Sequence, residues 1–138
     1  MSKFELSYLK GRKRSPISYW VHHGVGEDKI PYAECVEFSP PFPNKDPMRG
    51  YPYLVVKVVG FEFEFASSLE LTHCIDVLGK RNMHTTNYLS EIRGTSYGPN
   101  NHWLSRLPSD LKSWKKREKI VAFLLKARSD IEKAKIVF

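Results

Sequence analysis

The side chains with the clearest chemical potential are the cations at the two ends of the chain. Residues 1–14 contain five Lys or Arg and one acid, and residues 112–138 contain nine Lys or Arg and three acids. The segment between them contains eight Lys or Arg and eleven acids, so basic ends flank a mildly acidic body. Phosphate contacts require Lys or Arg exposed on a rigid element. The distribution therefore favours attraction to a phosphate polymer or to another acidic surface.

Two cationic clusters carry most of this charge. The first lies in the basic turn from Gly11 to Pro16, and the second lies at the start of an amphipathic C-terminal helix. If the clusters lie side by side in the fold they form one patch, whereas a solvated lysine-rich face is the alternative explanation. The cations are Lys10, Arg12, Lys13 and Arg14 at one end, and Lys112, Lys115, Lys116, Arg117 and Lys119 at the other.

The segment RGTSYGPNNHWLSR, residues 93–106, could contact the same ligand. Glycine-rich backbone can present N–H groups to an anion, asparagine can hydrogen-bond base edges, and aromatic rings can stack on bases. A turn with left-handed asparagines and a core tryptophan is the alternative, which we favour for Asn100 and Trp103. The candidate contacts in this segment are Arg93, Tyr97, Asn101, His102 and Arg106.

Residue types that could support catalysis occur without a recognisable motif. His73 could pair with Asp76 or Glu70 on one helix, but nucleophilic catalysis needs a nucleophile, a base and an orienting group in contact. Two cysteines and five histidines without ligand spacing predict no metal site, and we expect no cofactor. We therefore favour a non-catalytic protein, because an enzyme would need a pocket that places His84 or His102 beside a carboxylate. The remaining candidates are Cys74, Ser90, and the strand neighbours Glu62 and Glu64.

The composition predicts one globular domain. The chain has 138 residues, of which 41% are hydrophobic and 13% aromatic, which argues against disorder. No window approaches the ~20 apolar residues of a membrane span, and the first residues lack the apolar core of a secretory signal. Cys35 and Cys74 are predicted to be buried free thiols. We expect a cytoplasmic location and no membrane partner.

The stretch from Tyr53 to Gly79 holds the clearest structural pattern. Phe61, Phe63 and Phe65 alternate with glutamates, as in a strand with one buried face. Leu54, Val56 and Val58 join that face only if the phase shifts at Gly60, which leaves Lys57 with the glutamates. We expect a bulge or bend there, and two separate strands that meet at Gly60 are the alternative.

Two helices are predicted in the second half of the chain. Ser67 and Glu70 have capping-box spacing, and Gly79 is placed to end a helix over residues ~68–79 in the left-handed conformation. Ser109 or Asp110 can cap a long helix over residues ~110–134. A further helix that begins at Thr85, after the break at Gly79, would give a weak helix-turn-helix signal.

The first half of the chain is predicted to be strands and loops. Residues 3–9, 17–21 and 30–38 have strand-like patterns. Residues 39–52 contain five prolines, so this segment is an ordered loop or a flexible lid. Phe42, Met48 and Tyr51 could hold it against the domain.

These patterns predict a single α+β domain over residues 1–138. An antiparallel sheet of about four to five strands from residues 1–66 is packed by the helices of residues 67–138. We expect a small non-catalytic protein that binds DNA or RNA through its basic terminal patches and the 93–106 loop. A regulatory or inhibitor protein that binds an acidic protein surface, with the 39–52 segment as its contact, is the alternative. The predicted nucleic-acid contacts are Arg12, Lys13, Arg14, Arg93, Tyr97, Asn101, His102, Arg106, Lys112, Lys115, Lys116 and Lys119.

Overall fold

The chain forms an α+β structure with two small antiparallel sheets and a long C-terminal helix. The computed structural model describes residues 2–82, 89, 93 and 102–138. The strands are β1 (Lys3–Leu9), β2 (His23–Gly24), β3 (Phe38–Ser39), β4 (Tyr51–Val58) and β5 (Phe61–Phe65), and the helices are α1 (Ser18–Val21), α2 (Ser68–Leu78) and α3 (Trp114–Lys133). Short 3₁₀ turns occupy Tyr32–Glu34, Trp103–Arg106 and Ser109–Lys112.

The main sheet has three strands in the order β1-β4-β5, and β2 pairs with β3 in a separate two-stranded ribbon. The predicted sheet of four to five strands is therefore too large. Within residues 17–21, Ser18–Val21 form α1 instead of a strand. Ile17, Ser18 and Tyr19 are all buried, which the alternation of a strand with one buried face does not allow. Within residues 30–38 the chain turns through a 3₁₀ segment, and only its last residue enters β3.

The hairpin between β4 and β5 explains the phase shift at Gly60. Val59 and Gly60 both have positive φ, +47° and +77°, as a two-residue hairpin turn requires. Val58 then pairs with Phe61, so two separate strands meet at Gly60 and the expected bulge is absent from this described hairpin. The predicted faces are confirmed, because Val56 pairs with Phe63 in the core and Lys57 pairs with Glu62 outside it.

The two ends of helix α2 are held by the side chains of Ser67 and Arg117. The side chain of Ser67 accepts a hydrogen bond from the backbone N–H of Glu70, as the capping pattern predicts. Gly79 does not take the left-handed conformation, since its φ is −79°. The guanidinium of Arg117 in α3 donates hydrogen bonds to the carbonyl oxygens of Leu78 and Lys80 at this end of the helix.

Helix α3 packs against α2 and runs antiparallel to it. The side chain of Arg117 reaches the end of α2, and Arg128 reaches Thr72 near its middle. The helix begins at Trp114, later than predicted, because a 3₁₀ turn fills the preceding residues and Ser113 provides the cap. Its buried residues join the sheet in one apolar core.

Two further predictions can be compared with the structure. Cys35 and Cys74 are both buried and both free, which confirms the prediction for them. Among the described residues, no helix combines the length and apolar character needed to cross a membrane.

Candidate nucleic-acid interface

The N-terminal basic turn lies against aromatic rings at one end of the main sheet. Arg12 is exposed, and its Cζ lies 5.2 Å from the ring centres of both Phe42 and Tyr51. The Nζ of Lys13 lies 3.5 Å from a carboxylate oxygen of Glu64. This end of the sheet therefore presents cations beside rings.

Arg14 has a structural position within the same turn. Its guanidinium donates hydrogen bonds to the carbonyl oxygens of Tyr32 and Cys35, at 3.3 and 3.0 Å. Its Cζ also lies 5.0 Å from the ring centre of Phe38. These contacts fasten the turn to the loop that carries the 3₁₀ segment.

A buried polar cluster fixes the chain immediately after the turn. The carboxylate of Glu70, fully buried, accepts hydrogen bonds from the hydroxyls of Ser15 and Ser18 and from the backbone N–H of Ala66. The buried ring of His22 lies 2.7 Å from the hydroxyl oxygen of Ser67. Each of these buried polar groups therefore has a hydrogen-bond partner, as buried polar groups require.

His22 also holds the proline-rich segment. One ring nitrogen lies 2.7 Å from the carbonyl oxygen of Pro40, and the ring stacks on Phe42 with centres 4.0 Å apart. Phe42 is buried and Tyr51 half-buried, whereas Met48 is 92% exposed. The segment is thus an ordered loop on the domain, and its aromatic rings face inward.

The C-terminal cluster divides into exposed lysines and one buried arginine. Lys115 and Lys119 are exposed, and Lys112 and Lys116 are half-buried. Arg117, which the sequence pattern groups with them, is only 4% exposed.

The guanidinium of Arg117 serves as a cap for other segments. It donates hydrogen bonds to the carbonyl oxygens of Leu78, Lys80 and Arg81 at the end of α2, and to that of Lys112. Burial lowers the pKa of Arg117 from its usual value. These hydrogen bonds hold the chain that follows α2 against the start of α3.

Lys80 and Arg81 thereby join the lysines of α3, which the sequence analysis did not foresee. Both residues are exposed, and the Cζ of Arg81 lies 5.7 Å from the ring centre of Trp114. We call the combined set the Trp114 surface. It consists of the half-buried Trp114, the Arg81 guanidinium beside its ring, and five lysines on the neighbouring segments: Lys80, Lys112, Lys115, Lys116 and Lys119.

The N-terminal turn and the Trp114 surface lie at opposite ends of α2. Phe42 beside Arg12 stacks on His22, which contacts Ser67 at the start of α2. The Trp114 surface adjoins Leu78 at the end of α2. Leu78 follows Ser68 by ten positions, which corresponds to a distance of ~15 Å along the helix axis at 1.5 Å per residue. The two predicted clusters therefore do not merge into one patch.

The predicted contacts of the 93–106 segment have separate positions. Arg93 forms an ion pair with Glu27, donates to the carbonyl oxygen of Tyr19 at 2.7 Å, and has a side chain only 5% exposed. His102 is buried, and its Nδ1 accepts from the N–H of Leu104. Arg106 is exposed. Tyr97 and Asn101 lie outside the described residues.

Several residues considered for catalysis are buried. Cys74 is fully buried, and burial raises the pKa of its thiol, which opposes formation of a thiolate. Burial lowers the pKa of His73 to about 4, and its Nε2 accepts a hydrogen bond from the indole of Trp103. Ser67 and His22 have the spacing of a nucleophile and a base, but both are at most 2% exposed. His84 and Ser90 lie outside the described residues.

Comparisons with protein-family models, with curated proteins and with solved structures find no match for this chain.

Proposed function

We propose that this protein binds nucleic acid, DNA or RNA, through the Trp114 surface. Six exposed or half-buried cations lie there on α3, on the 3₁₀ turn before it and just beyond the capped end of α2. Rigid cations of this kind suit contacts with successive phosphates. The half-buried indole offers a face on which a base can stack.

The observation that carries the proposal is the charge of the first turn of α3. It consists of Trp114, Lys115, Lys116 and Arg117, although the partial positive charge at a helix N-terminus favours acids there. Each misplaced exposed cation costs ~0.3–1 kcal/mol of helix stability. Sequences that violate a local stability rule do so most often at functional sites. A bound phosphate would reverse the penalty, because helix N-termini attract anions.

Two of the N-terminal contacts proposed from the sequence belong to the other end of the molecule. Arg12 and Lys13 lie beside Tyr51 and Glu64, so they would meet a different part of a long ligand. Arg106, Tyr97 and Asn101 remain proposed contacts. The buried ion pair makes a structural role the better explanation of Arg93.

The proposal can be tested by reversing charge where reversal favours the helix. In the double variant Lys115→Glu, Lys116→Glu, a glutamate at the third helical position completes a capping box with Ser113. The variant should unfold at an equal or higher urea concentration than the parent chain. Its affinity for a labelled oligonucleotide, measured by fluorescence anisotropy, should fall at least tenfold at low salt. The slope of log K against log salt should decrease by about two, because the variant makes two fewer phosphate contacts.

The matched control carries the same charge change elsewhere. Lys29 and Lys126 are exposed and lie outside the Trp114 surface. The variant Lys29→Glu, Lys126→Glu should lose much less affinity than the test variant. Equal losses in both variants, or an affinity of the parent chain that does not depend on salt, would contradict the proposal.

A further inference from the structure

A concave site lies about one helix length away from the Trp114 surface. It has a volume of about 370 Å³ and is lined by Tyr8, Lys45, Asp46, Arg49 and Lys135, among others. We call it the Tyr8 pocket. Its size falls within the ~300–1,000 Å³ of small-molecule sites. Three cations and one carboxylate give it a positive charge.

A tight loop fixes Arg49 at the wall of the pocket. Asp46 and Gly50 exchange two backbone hydrogen bonds of 2.8 and 2.9 Å, and Oδ1 of Asp46 accepts from the N–H groups of Met48 and Arg49. A Cβ at Gly50 would collide with the carbonyl oxygen of Leu9, so the loop also lies tightly against β1. The carboxylate of Asp46 is thereby engaged with its own loop.

Arg49 lies over an aromatic ring. Its Cζ is 5.3 Å from the ring centre of Tyr8, and its Nη1 lies 3.4 Å from the Tyr8 hydroxyl oxygen. The pocket is therefore lined by a guanidinium and an aromatic ring in contact with each other. Arginine and aromatic side chains bind unpaired bases by stacking and by cation–π attraction.

The opposite side of the pocket carries a lysine in an unfavourable backbone conformation. Lys135 lies just beyond the end of α3 with φ of +57°, where glycine is the usual residue. A left-handed conformation costs a non-glycine residue of order 1–2 kcal/mol. This conformation completes the cap of α3, in which the N–H of Ile136 donates to the carbonyl oxygen of Ile131, and it leaves the exposed Lys135 among the residues that line the pocket.

We infer that the Tyr8 pocket binds a single unpaired nucleotide, with its phosphate between Lys45 and Lys135 and its base against Tyr8 and Arg49. This inference rests on the proposed function, because the nucleotide would be one unit of the polymer. The site is separate from the Trp114 surface, so a short oligonucleotide should bind at two places on the chain.

Calorimetric titration with AMP, ribose 5-phosphate and inorganic phosphate tests the inference. AMP should bind at least fivefold more tightly than ribose 5-phosphate, because stacking of one base contributes ~5- to 150-fold in affinity. The variant Arg49→Glu should lose AMP binding. Equal affinities for AMP and ribose 5-phosphate would overturn the inference and leave a simple anion site.

Two further variants separate binding from folding and one site from the other. Lys135→Gly should weaken AMP binding several-fold while the thermal midpoint stays constant or rises, because glycine relieves the strain. Unchanged AMP binding in this variant would contradict the assigned role of Lys135. Lys115→Glu, Lys116→Glu should keep AMP binding, while its oligonucleotide affinity falls at least tenfold. If the parent chain prefers AMP to ribose 5-phosphate but does not bind the oligonucleotide, the proposed function fails. If it binds the oligonucleotide but shows no preference for AMP, this inference fails.

Discussion

At the scale of single residues, Arg117 shows that neighbouring cations on one helix can serve different roles. Its neighbours Lys115 and Lys116 belong to the Trp114 surface, whereas Arg117 is buried and bonded to four carbonyls. Arginine suits this position because its planar fork can donate several hydrogen bonds at once, which a lysine ammonium cannot do in the same geometry.

We predict that Arg117→Lys lowers the free energy of unfolding by about 2–4 kcal/mol, since buried carbonyls left without donors cost ~1–3 kcal/mol each. Equilibrium urea denaturation measures the change. The same substitution at Arg128, which makes one hydrogen bond of 3.3 Å to Thr72, is the matched control and should cost less than about 1 kcal/mol. A decrease at position 117 no larger than that at 128 would show that the carbonyl contacts do not hold the two helices together.

The sequence contained the information needed to place Arg117, although charge alone hid it. Arg117 shares the stripe of Ile120, Leu124, Ala127 and Ile131, all of which are buried. Helical spacing therefore predicts burial where charge predicts exposure. Lys80 and Arg81 could not be assigned to the surface in this way, because their placement depends on a contact between distant segments.

At the scale of elements, regular local patterns were sufficient to predict the conformation, whereas the patterns of short segments were not. The strand over residues 3–9, the two faces of the β4–β5 hairpin and the cap of α2 were predicted from the sequence and are present. The strands expected at residues 17–21 and 30–38 were wrong, because burial among distant residues decides the conformation of such short runs. The start of α3 at Trp114 was missed because four earlier residues, Ser109–Lys112, form a 3₁₀ turn instead.

The β4–β5 turn provides a prediction at this scale. Val59 has φ of +47°, a region that a β-branched residue disfavours by ~1–2 kcal/mol. Asparagine followed by glycine is the preferred pair for such a turn. We predict that Val59→Asn raises the free energy of unfolding by about 0.5–1 kcal/mol, since relief of the strain outweighs the smaller apolar burial of a side chain that is only half-buried.

The adjacent glycine supplies the control for the turn. Gly60 has φ of +77°, and a Cβ there would meet nothing within 4 Å. Gly60→Ala should therefore destabilise the protein by ~1–2 kcal/mol through conformation alone. Thermal denaturation of both variants measures the pair, and a decrease in stability for Val59→Asn would mean that packing of the valine outweighs its strain.

At the scale of the whole molecule, the predicted convergence of the two termini fails while the separate cationic surfaces persist. Helix α3 carries lysines at its start into the Trp114 surface and Lys135 at its end into the Tyr8 pocket. The charge at each end could be counted in the sequence. The relative positions could not, because they follow from the antiparallel packing of α2 and α3.

Stability of the whole molecule should depend on pH through the histidines that join α2 to the Trp103–Arg106 turn. His73 and His102 have ring centres 5.9 Å apart, and burial lowers their pKa values to about 4 and about 3. In the unfolded chain both groups titrate near a pKa of about 6.5. Below about pH 6.5 the unfolded state therefore binds more protons, so stability present above that pH is lost as the pH falls toward about 4.

We predict that the free energy of unfolding falls by roughly 1.4 kcal/mol per pH unit for each of these histidines between about pH 6.5 and about pH 4. Urea denaturation at several pH values from about 7 to about 5 measures the slope, in a range where most carboxylates stay ionised. His73→Gln keeps an acceptor for the Trp103 indole, whose nitrogen lies 3.0 Å from His73 Nε2, and removes the titrating group. Its slope should be about half that of the parent chain. A parent slope near zero, or one that the substitution leaves unchanged, would mean that His73 is accessible to protons in the folded state.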